Sequence, residues 1–483
     1  MEEYIKMLLE QVRFQKAHKA IGDEIRSHIE DQIELNIADG MDRETAEKRA
    51  VEDMGDPVGA GIALDKVHRP QVAWGVIIAA ILVGIVGIVI KFFLSNVPSS
   101  TYDGMAIYIL GKMILVDDIG YYIHYVIYGI AVMLIMYLVD YITVAKYSEI
   151  IAVILLFSYS MDTFIDKRIA SLEANGDVIP NIYRSLSGFF SGSGSRVFLL
   201  VPLFAGIIYK YRGQKYKGLI KSLIWIVVIG LVSIGRYQQF RATVIVICLL
   251  AELTIAIQKE WIKVPKARTI VSIWSLFVII PIAIIRFMYN SRLLSVHKMD
   301  VVRAFLAPAT SKNQAKEILS GVKAFGSGTV SYFGGKLTAS TSSLVSSGVF
   351  SQYIERESYV ITKIAAVLGG ALTFAVIAAV VALIVFGFVT TAKTKNQLGV
   401  VMGSGCMMWL IINAIFNIGV GTGLLPSFYH TSFLPFISDH KVVASYAFLG
   451  IILSIYKYKD AYPQHIDITI YSKSKISSRE MQD

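Results

Sequence analysis

The sequence predicts an all-α polytopic membrane protein, with about ten transmembrane helices behind a small N-terminal helical domain. Three observations support this fold class. The chain is 55% hydrophobic and only 17% charged, whereas roughly a quarter of the residues are charged in an ordinary soluble domain. Apolar runs long enough to cross a bilayer recur after Pro70. The residues before Pro70, in contrast, carry charge throughout.

The N-terminal segment, residues 1–70, has the pattern of a small helical bundle. Apolar residues recur at helical spacing over residues 3–20 and again over 22–38. Asp42 can cap a third helix, which Pro57 then stops. We therefore predict a three-helix domain. Because no apolar core of a signal peptide precedes it, we expect this domain to stay in the cytoplasm.

The membrane domain is predicted over residues 71–460, and residues 461–483 form a tail. Its eighth apolar segment is long enough to be tilted or to extend beyond the membrane. The ten segments, numbered here as spans one to ten, lie near residues 72–95, 121–141, 148–165, 196–210, 218–235, 240–258, 268–289, 359–389, 398–423 and 440–457.

The distribution of charge predicts the orientation in the membrane. Residues 1–70 hold 10 Lys and Arg against 16 Asp and Glu, which leaves 36 against 20 for the rest of the chain. Basic residues concentrate in the short loops after spans four, six, eight and ten, which are therefore expected in the cytoplasm together with both termini. The Gly- and Ser-rich segment 290–358 is then external.

The same composition excludes other classes of protein. The basic excess lies in loops and is not interleaved with aromatic residues, so we expect no nucleic-acid partner. The two cysteines, Cys248 and Cys406, both lie in apolar runs. They predict neither a disulfide framework nor a metal cluster.

A Gly- and Pro-containing segment near the C-terminus carries a specific pattern. From Asn417 to Ser438 the chain reads NIGVGTGLLPSFYHTSFLPFIS, and such residues break a helix at a membrane face, where protein or a polar cavity must satisfy the backbone. More than half of these positions, including Asn417, Thr422 and Ser438, match a signature of the SEDS family. These shape, elongation, division and sporulation proteins are typified by FtsW, RodA and SpoVE.

A second match lies in the predicted external segment. Arg303, Phe305, Leu306 and Pro308 resemble another family motif, and Gln314 follows at a similar position. The resemblance covers roughly residues 72–460 and agrees with the ten spans. The N-terminal domain is outside it and is similar to helical prefix domains found ahead of some bacterial permeases.

The resemblance implies a glycosyltransferase that polymerises lipid II, the lipid-linked peptidoglycan precursor, outside the bacterial cytoplasmic membrane. Family members act in division, elongation or sporulation beside a class B penicillin-binding protein. A carboxylate at the external end of span eight would be the general base. Basic groups, with Mg²⁺ or Mn²⁺ if the chain is active, would neutralise the pyrophosphate.

The family's catalytic Asp falls on Ser358 in this chain, and serine is not a general base. The nearest carboxylates, Glu357 and Glu355, are candidates for a shifted base, although a neighbouring helical position points about 100° away. The alternative interpretation of both glutamates is a solvated helix start.

Arg236 and Arg241 flank the predicted external hairpin between spans five and six. Arginines there can hold a pyrophosphate, although they can also simply reach the membrane interface. Because several family motifs are altered, two alternatives stay open: a non-enzymatic regulator that binds lipid-linked substrate or a transpeptidase, and a transporter of lipid or solute. The predicted substrate-binding residues are Arg236, Arg241, Arg303, Gln314, Asn417, Thr422 and Ser438.

Overall fold

The structure of the protein is a computed structural model. Most of the residues that it describes are helical, which confirms the predicted all-α fold class. Two short antiparallel hairpins accompany the helices: β1 (Met105–Ile109) pairs with β2 (Lys112–Val116), and β3 (Val330–Phe333) pairs with β4 (Lys336–Ala339). The described residues are 1–95, 105–109, 112–116, 118–190, 196–233, 239–293, 299, 302–303, 319, 322, 330–333, 336–339, 359–425, 433–438 and 441–465.

The N-terminal segment contains four helices, so the predicted count of three was wrong. Pro57 begins the fourth helix instead of stopping the third, because proline fits the first helical turn. Asp56 caps this helix by accepting hydrogen bonds from the backbone amides of Val58 at 3.1 Å and Gly59 at 2.8 Å. The four helices are α1 (Glu2–Glu10), α2 (His18–Ala38), α3 (Arg43–Asp53) and α4 (Pro57–His68).

All ten predicted spans coincide with helical segments, so the chain is a multi-pass membrane protein. Within the described residues, eight helical segments are long and apolar enough to cross a membrane, and two shorter apolar ones correspond to spans four and ten. Spans one to six are α5 (Trp74–Ser95), α6 (Asp118–Leu138), α8 (Ser148–Ala174), α10 (Leu200–Lys210) with the preceding 3₁₀ turn Val197–Leu199, α11 (Tyr216–Ser233) and α12 (Gln239–Gln258).

The remaining spans include two interrupted helices. In span seven, the π-helical turn Ser275–Ile279 separates α13 (Lys266–Trp274) from α14 (Ile280–Asn290). In span eight, α15 (Val360–Leu368) and α16 (Gly370–Ala392) are separated at Gly369, whose φ of 89° favours glycine. Spans nine and ten are α17 (Gln397–Gly421) and α18 (Val442–Lys457). Two shorter helices, α7 (Tyr141–Lys146) and α9 (Asn181–Phe190), flank span three.

Hydrogen bonds join the basic loops at one end of the bundle, which we call the basic end. Gln71 donates its backbone amide to the Lys457 carbonyl at 2.9 Å, and the Trp261 indole donates to the Gln397 side chain at 2.6 Å. Span one therefore begins where span ten ends, as an even number of spans requires. The assignment of this end to the cytoplasm stays a prediction from the loop charges.

Span seven departs from the rest of the bundle in its second half. Residues 279–287 are exposed on every side of the helix, with Ile282 at 61% and Phe287 at 66%. A membrane-embedded helix with this exposure contacts lipid around its whole circumference, or a molecule that enters beside it.

Candidate functional site

The SEDS-like segment forms a helix break at the end of the bundle opposite the basic end. α17 ends at Gly421, and Gly423 follows with a φ of 75°. The Leu425 amide donates to the Gly419 carbonyl at 2.8 Å, which closes the last turn. The Thr422 hydroxyl donates to the Ile418 carbonyl at 2.7 Å. The glycines therefore end the helix at this point, as the sequence predicted.

Residues 433–438 return to the bundle as a non-helical turn that is buried in protein. Phe436 has a φ of 65°, and its carbonyl accepts a hydrogen bond from the Tyr122 hydroxyl at 3.1 Å. The Ser438 hydroxyl accepts from the Leu434 amide at 2.8 Å, and the Ser445 hydroxyl accepts from the Phe436 amide at 3.3 Å. These side chains satisfy the irregular backbone, which lipid cannot do.

The beginning of α15 is fixed beside the helix break. The Thr362 hydroxyl donates to the Gly421 carbonyl at 2.6 Å. A Cβ atom at Gly421 would lie 2.7 Å from Cβ of Ile361, so the glycine permits this close approach. Tyr359 and Leu425 pack around the buried Val420. Tyr359 and the start of α15 therefore lie beside the helix break.

The predicted catalytic residues occupy that preceding segment in the sequence. Glu355, Glu357 and Ser358 lie outside the described residues, so their role stays a prediction. Tyr359, which packs against Val420 at the helix break, is the next residue after Ser358 in the sequence.

The predicted substrate-binding residues have different surroundings. Asn417 is fully buried in α17, and Arg241 is half-buried near the start of α12. Thr422 and Ser438 use their hydroxyls in the backbone contacts given above, which a structural role already explains. Arg303 is exposed, and Arg236 and Gln314 lie outside the described residues. The structure therefore places Asn417 and Thr422 at the end of span nine and Ser438 in the turn before span ten, whereas their binding roles stay predictions.

Further ionisable side chains lie toward the same end and were missed in the sequence interpretation. For those within spans, a charged residue inside an apolar run is the signal that could have identified them, because such residues are costly in lipid unless they have partners. None of them lacks a partner. They are Lys91 on α5, Asp162 and Asp166 on α8, Arg196 before span four, Lys363 on α15 and Lys441 before α18.

A bound metal ion would need several donor side chains close together. Within the ranges that the structure describes, no group of three or more His, Cys, Asp or Glu side chains is arranged to hold a metal ion. The Mg²⁺ or Mn²⁺ requirement implied by the family resemblance stays a prediction.

The fold, but no sequence family, connects this chain to known proteins. Neither protein-family models nor curated proteins give a match. The chain is similar to a chain of the solved structure described as "Structural coordination of polymerization and crosslinking by a peptidoglycan synthase complex". The TM-score is 0.52 and the identity 13%, and the similarity covers 80% of this chain and 99% of that one. This similarity shows a shared fold.

Proposed function

We propose that this chain is a divergent SEDS protein of the bacterial cytoplasmic membrane, and that it polymerises lipid II at the outer face of that membrane. The observation that carries the proposal is the fold similarity, which covers 99% of a chain from a peptidoglycan synthase complex. The SEDS-like residues 417–423 support it independently, because they end α17 in a helix break, the feature for which their glycines were singled out.

The arrangement around α15 supports a catalytic role for the preceding carboxylates. Thr362 ties the start of α15 to the helix break at Gly421, so a base at Glu355 or Glu357 would be connected to a fixed point. Its task would be to accept the proton of the acceptor sugar hydroxyl as the new glycosidic bond forms. Arg241 and Lys363, at the same end, are candidates to neutralise the departing pyrophosphate.

The position of span seven supports a substrate with a long apolar tail. The second half of this span, residues 279–287, is exposed on every side. A polyprenyl chain could therefore approach the bundle beside α14 directly from the bilayer. This route would deliver the headgroup to the membrane surface where α15 begins.

A second candidate is a non-enzymatic regulator that binds lipid II or a class B penicillin-binding protein. The observation that favours it is Ser358, which stands where the family has its catalytic Asp. In this case the acidic N-terminal helices would provide the cytoplasmic contact. The two candidates differ in chemistry, because only the first forms a glycosidic bond.

A polymerisation assay separates these candidates. The full chain is reconstituted in proteoliposomes with lipid II and Mg²⁺ or Mn²⁺, alone and with class B penicillin-binding proteins. We expect glycan polymer from the wild type, and loss of it in Glu355→Gln or Glu357→Gln, whichever removes the base. Glu260→Gln is the matched control, because Glu260 is an exposed carboxylate at the basic end.

The variant Ser358→Asp sharpens the comparison. If a shifted glutamate is the base, Ser358→Asp changes little in the wild type and restores activity in the inactive Gln variant. If only Ser358→Asp forms polymer, the wild type is the non-enzymatic regulator. Absence of polymer from every variant, with every partner, would contradict the proposed polymerase activity.

A further inference from the structure

Two loops at the basic end form one positively charged surface. Gly213, between spans four and five, donates its backbone amide to the Trp261 carbonyl at 2.8 Å. Lys263, after span six, donates its amide to the Gln214 carbonyl at 3.2 Å. These bonds hold the two loops side by side. We call the exposed basic side chains of the loops and of the first two turns of α11 the basic patch: Arg212, Lys215, Lys217, Lys221 and Lys263.

Carboxylates leave the charge of the basic patch uncancelled. Glu149 accepts hydrogen bonds from Lys210 at 3.4 Å and from the Tyr211 hydroxyl at 3.3 Å, and Glu260 binds Lys266 at 2.7 Å. Both carboxylates therefore have partners outside the patch. Among the residues that the structure describes, no side chain of the basic patch forms an ion pair. The patch is thus suited to an anionic ligand.

The basic patch continues into a lipid-facing row on the same face of α11. Lys217, Lys221, Ile224, Val228 and Leu231 follow one another at intervals of four, three, four and three residues, which places them on one side of the helix. The three apolar members are 56%, 40% and 65% exposed. This face is therefore charged over its first two turns and apolar where the helix crosses the bilayer.

Two tyrosines place the lysines at the level of the lipid headgroups. Tyr216 begins α11 and is 56% exposed, and aromatic rings in such positions mark the membrane interface. The Nζ atom of Lys221 lies 5.2 Å from the centroid of the Tyr211 ring, which holds the ammonium group near the surface. A phosphate beside these lysines would have its acyl chains directly below it, along the apolar row.

This combination of a charged end and an apolar row selects among anionic ligands. A nucleic acid or an acidic protein in solution would contact the charges but not the apolar row inside the bilayer. A zwitterionic lipid would contact both, but its own cationic group offsets the attraction of the lysines for its phosphate. An anionic phospholipid satisfies both parts of the surface.

We propose that the basic patch and the apolar row of α11 form a binding site for an anionic phospholipid. The phosphate lies at Lys217 and Lys221, and the acyl chains lie along Ile224, Val228 and Leu231. The inference goes beyond the proposed function, since it concerns the opposite end of the bundle from the helix break and holds whether or not the chain polymerises lipid II.

Photolabelling in nanodiscs tests this site. The full chain is placed in phosphatidylcholine nanodiscs that contain a little phosphatidylglycerol or, in parallel, phosphatidylcholine with a diazirine group in one acyl chain. Mass spectrometry of chymotryptic peptides gives the ratio of phosphatidylglycerol label to phosphatidylcholine label on each helix. The internal reference is α8, where the exposed Ile150, Ile154 and Phe157 follow the acidic Glu149. We expect the ratio on α11 to be at least about fivefold higher, which corresponds to about 1 kcal/mol for one lysine at the membrane surface.

Variants of the two lysines test the role of their charge. Lys217→Gln combined with Lys221→Gln should lower the ratio on α11 to that on α8, whereas the corresponding double substitution by Arg should retain the preference. Lys393→Gln is the matched control, because it removes an exposed lysine from a different loop of the basic end. Unchanged thermal unfolding in detergent shows that the variants retain the fold.

Three results would overturn the proposal. Equal ratios on α11 and α8 of the wild type would mean that the lysines reach the interface without selecting a lipid. A preference that survives the double Gln variant would assign lipid selection to other residues. Loss of the preference in the presence of inorganic phosphate, at constant ionic strength, would make the patch a site for a soluble anion.

Discussion

The contact between Gly405 and Glu252 allows the packing of the bundle to be tested quantitatively. α12 and α17 approach each other where Gly405 faces the fully buried Glu252 side chain. A Cβ atom at position 405 would overlap Oε1 of Glu252 and lie 2.5 Å from Cδ and 2.9 Å from Cγ. Gly405→Ala therefore forces the carboxyl group or one helix to move. Overpacking of this kind costs about 1–3 kcal/mol, and three clashing atoms place this case near the upper value.

A double-mutant cycle isolates the clash from other effects. Glu252→Ala alone leaves a cavity that costs about 2–4 kcal/mol. This cost is partly offset because neither carboxylate oxygen has a hydrogen-bond partner in the described chain. In the double variant the methyl group introduced by Gly405→Ala occupies part of the vacated space. Gly405→Ala should then cost under about 0.5 kcal/mol, so the coupling energy is about 2.5 kcal/mol.

Thermal unfolding of the purified variants in detergent, followed by tryptophan fluorescence, measures this cycle. Gly188→Ala is the matched control, because a Cβ atom there meets nothing within 4 Å. We expect Gly405→Ala to lower the unfolding temperature and Gly188→Ala not to lower it. The reasoning would be refuted if Gly405→Ala were as stable as the wild type, or if the double variant gained nothing from removal of the Glu252 carboxyl.

Three further predictions concern the basic end and the N-terminal helices. Burial and the hydrogen bond to Asp140 raise the pKa of Tyr462. An unfolded tyrosine ionises near pH 10, so the stability from this contact should be present below about pH 10 and lost at higher pH. In denaturant unfolding, Tyr462→Phe should lower the stability by about 1–2 kcal/mol and should lose less of it as the pH rises. Phe14 stacks on Tyr458 with ring centroids 5.3 Å apart, so Phe14→Ala should speed amide hydrogen exchange of residues 458–462 but not of α2. Equal protection of residues 458–462 in the wild type and in Phe14→Ala would contradict this contact. Asp56→Ala should remove the α4 cap at a cost of about 1 kcal/mol, measured as lost amide protection of α4, and unchanged protection would contradict the cap.

The ten spans could be predicted because their signal is strong and local. A run of about twenty apolar residues has few alternatives to a membrane helix, and each predicted segment holds one in the structure. The common location of the basic loops was predictable for the same reason. Charge beside a span reports orientation without any knowledge of tertiary contacts.

Interruptions and caps were harder to predict because one residue type supports opposite structures. Pro57 was predicted to stop a helix, yet after the capping Asp56 it is the first helical residue. Gly369 lies inside an apolar run that predicted one helix over 359–389, whereas its positive φ divides the run into α15 and α16. In each case the local sequence permits both outcomes, and packing decides between them.

The candidate site was predictable only as far as its backbone. The glycines near 419–423 indicated a helix break, which the structure contains. The sequence did not indicate that Thr422 and Ser438 use their hydroxyls in hydrogen bonds to backbone groups four residues away, because a hydroxyl can instead face a ligand. It did not indicate that Thr362 joins α15 to the break, because this contact is between separate segments.

The central claim is that the protein binds a lipid-linked peptidoglycan precursor. Native mass spectrometry tests it most directly, with the full chain mixed with lipid II in detergent and then released from the detergent in the instrument. This measurement does not require catalysis. We predict a complex with one lipid II that outcompetes a phospholipid of the same charge and is weakened in Arg241→Ala, with the exposed Arg268→Ala at the basic end as the control. Binding of lipid II no stronger than that of the phospholipid, in the wild type and both variants, would contradict the account.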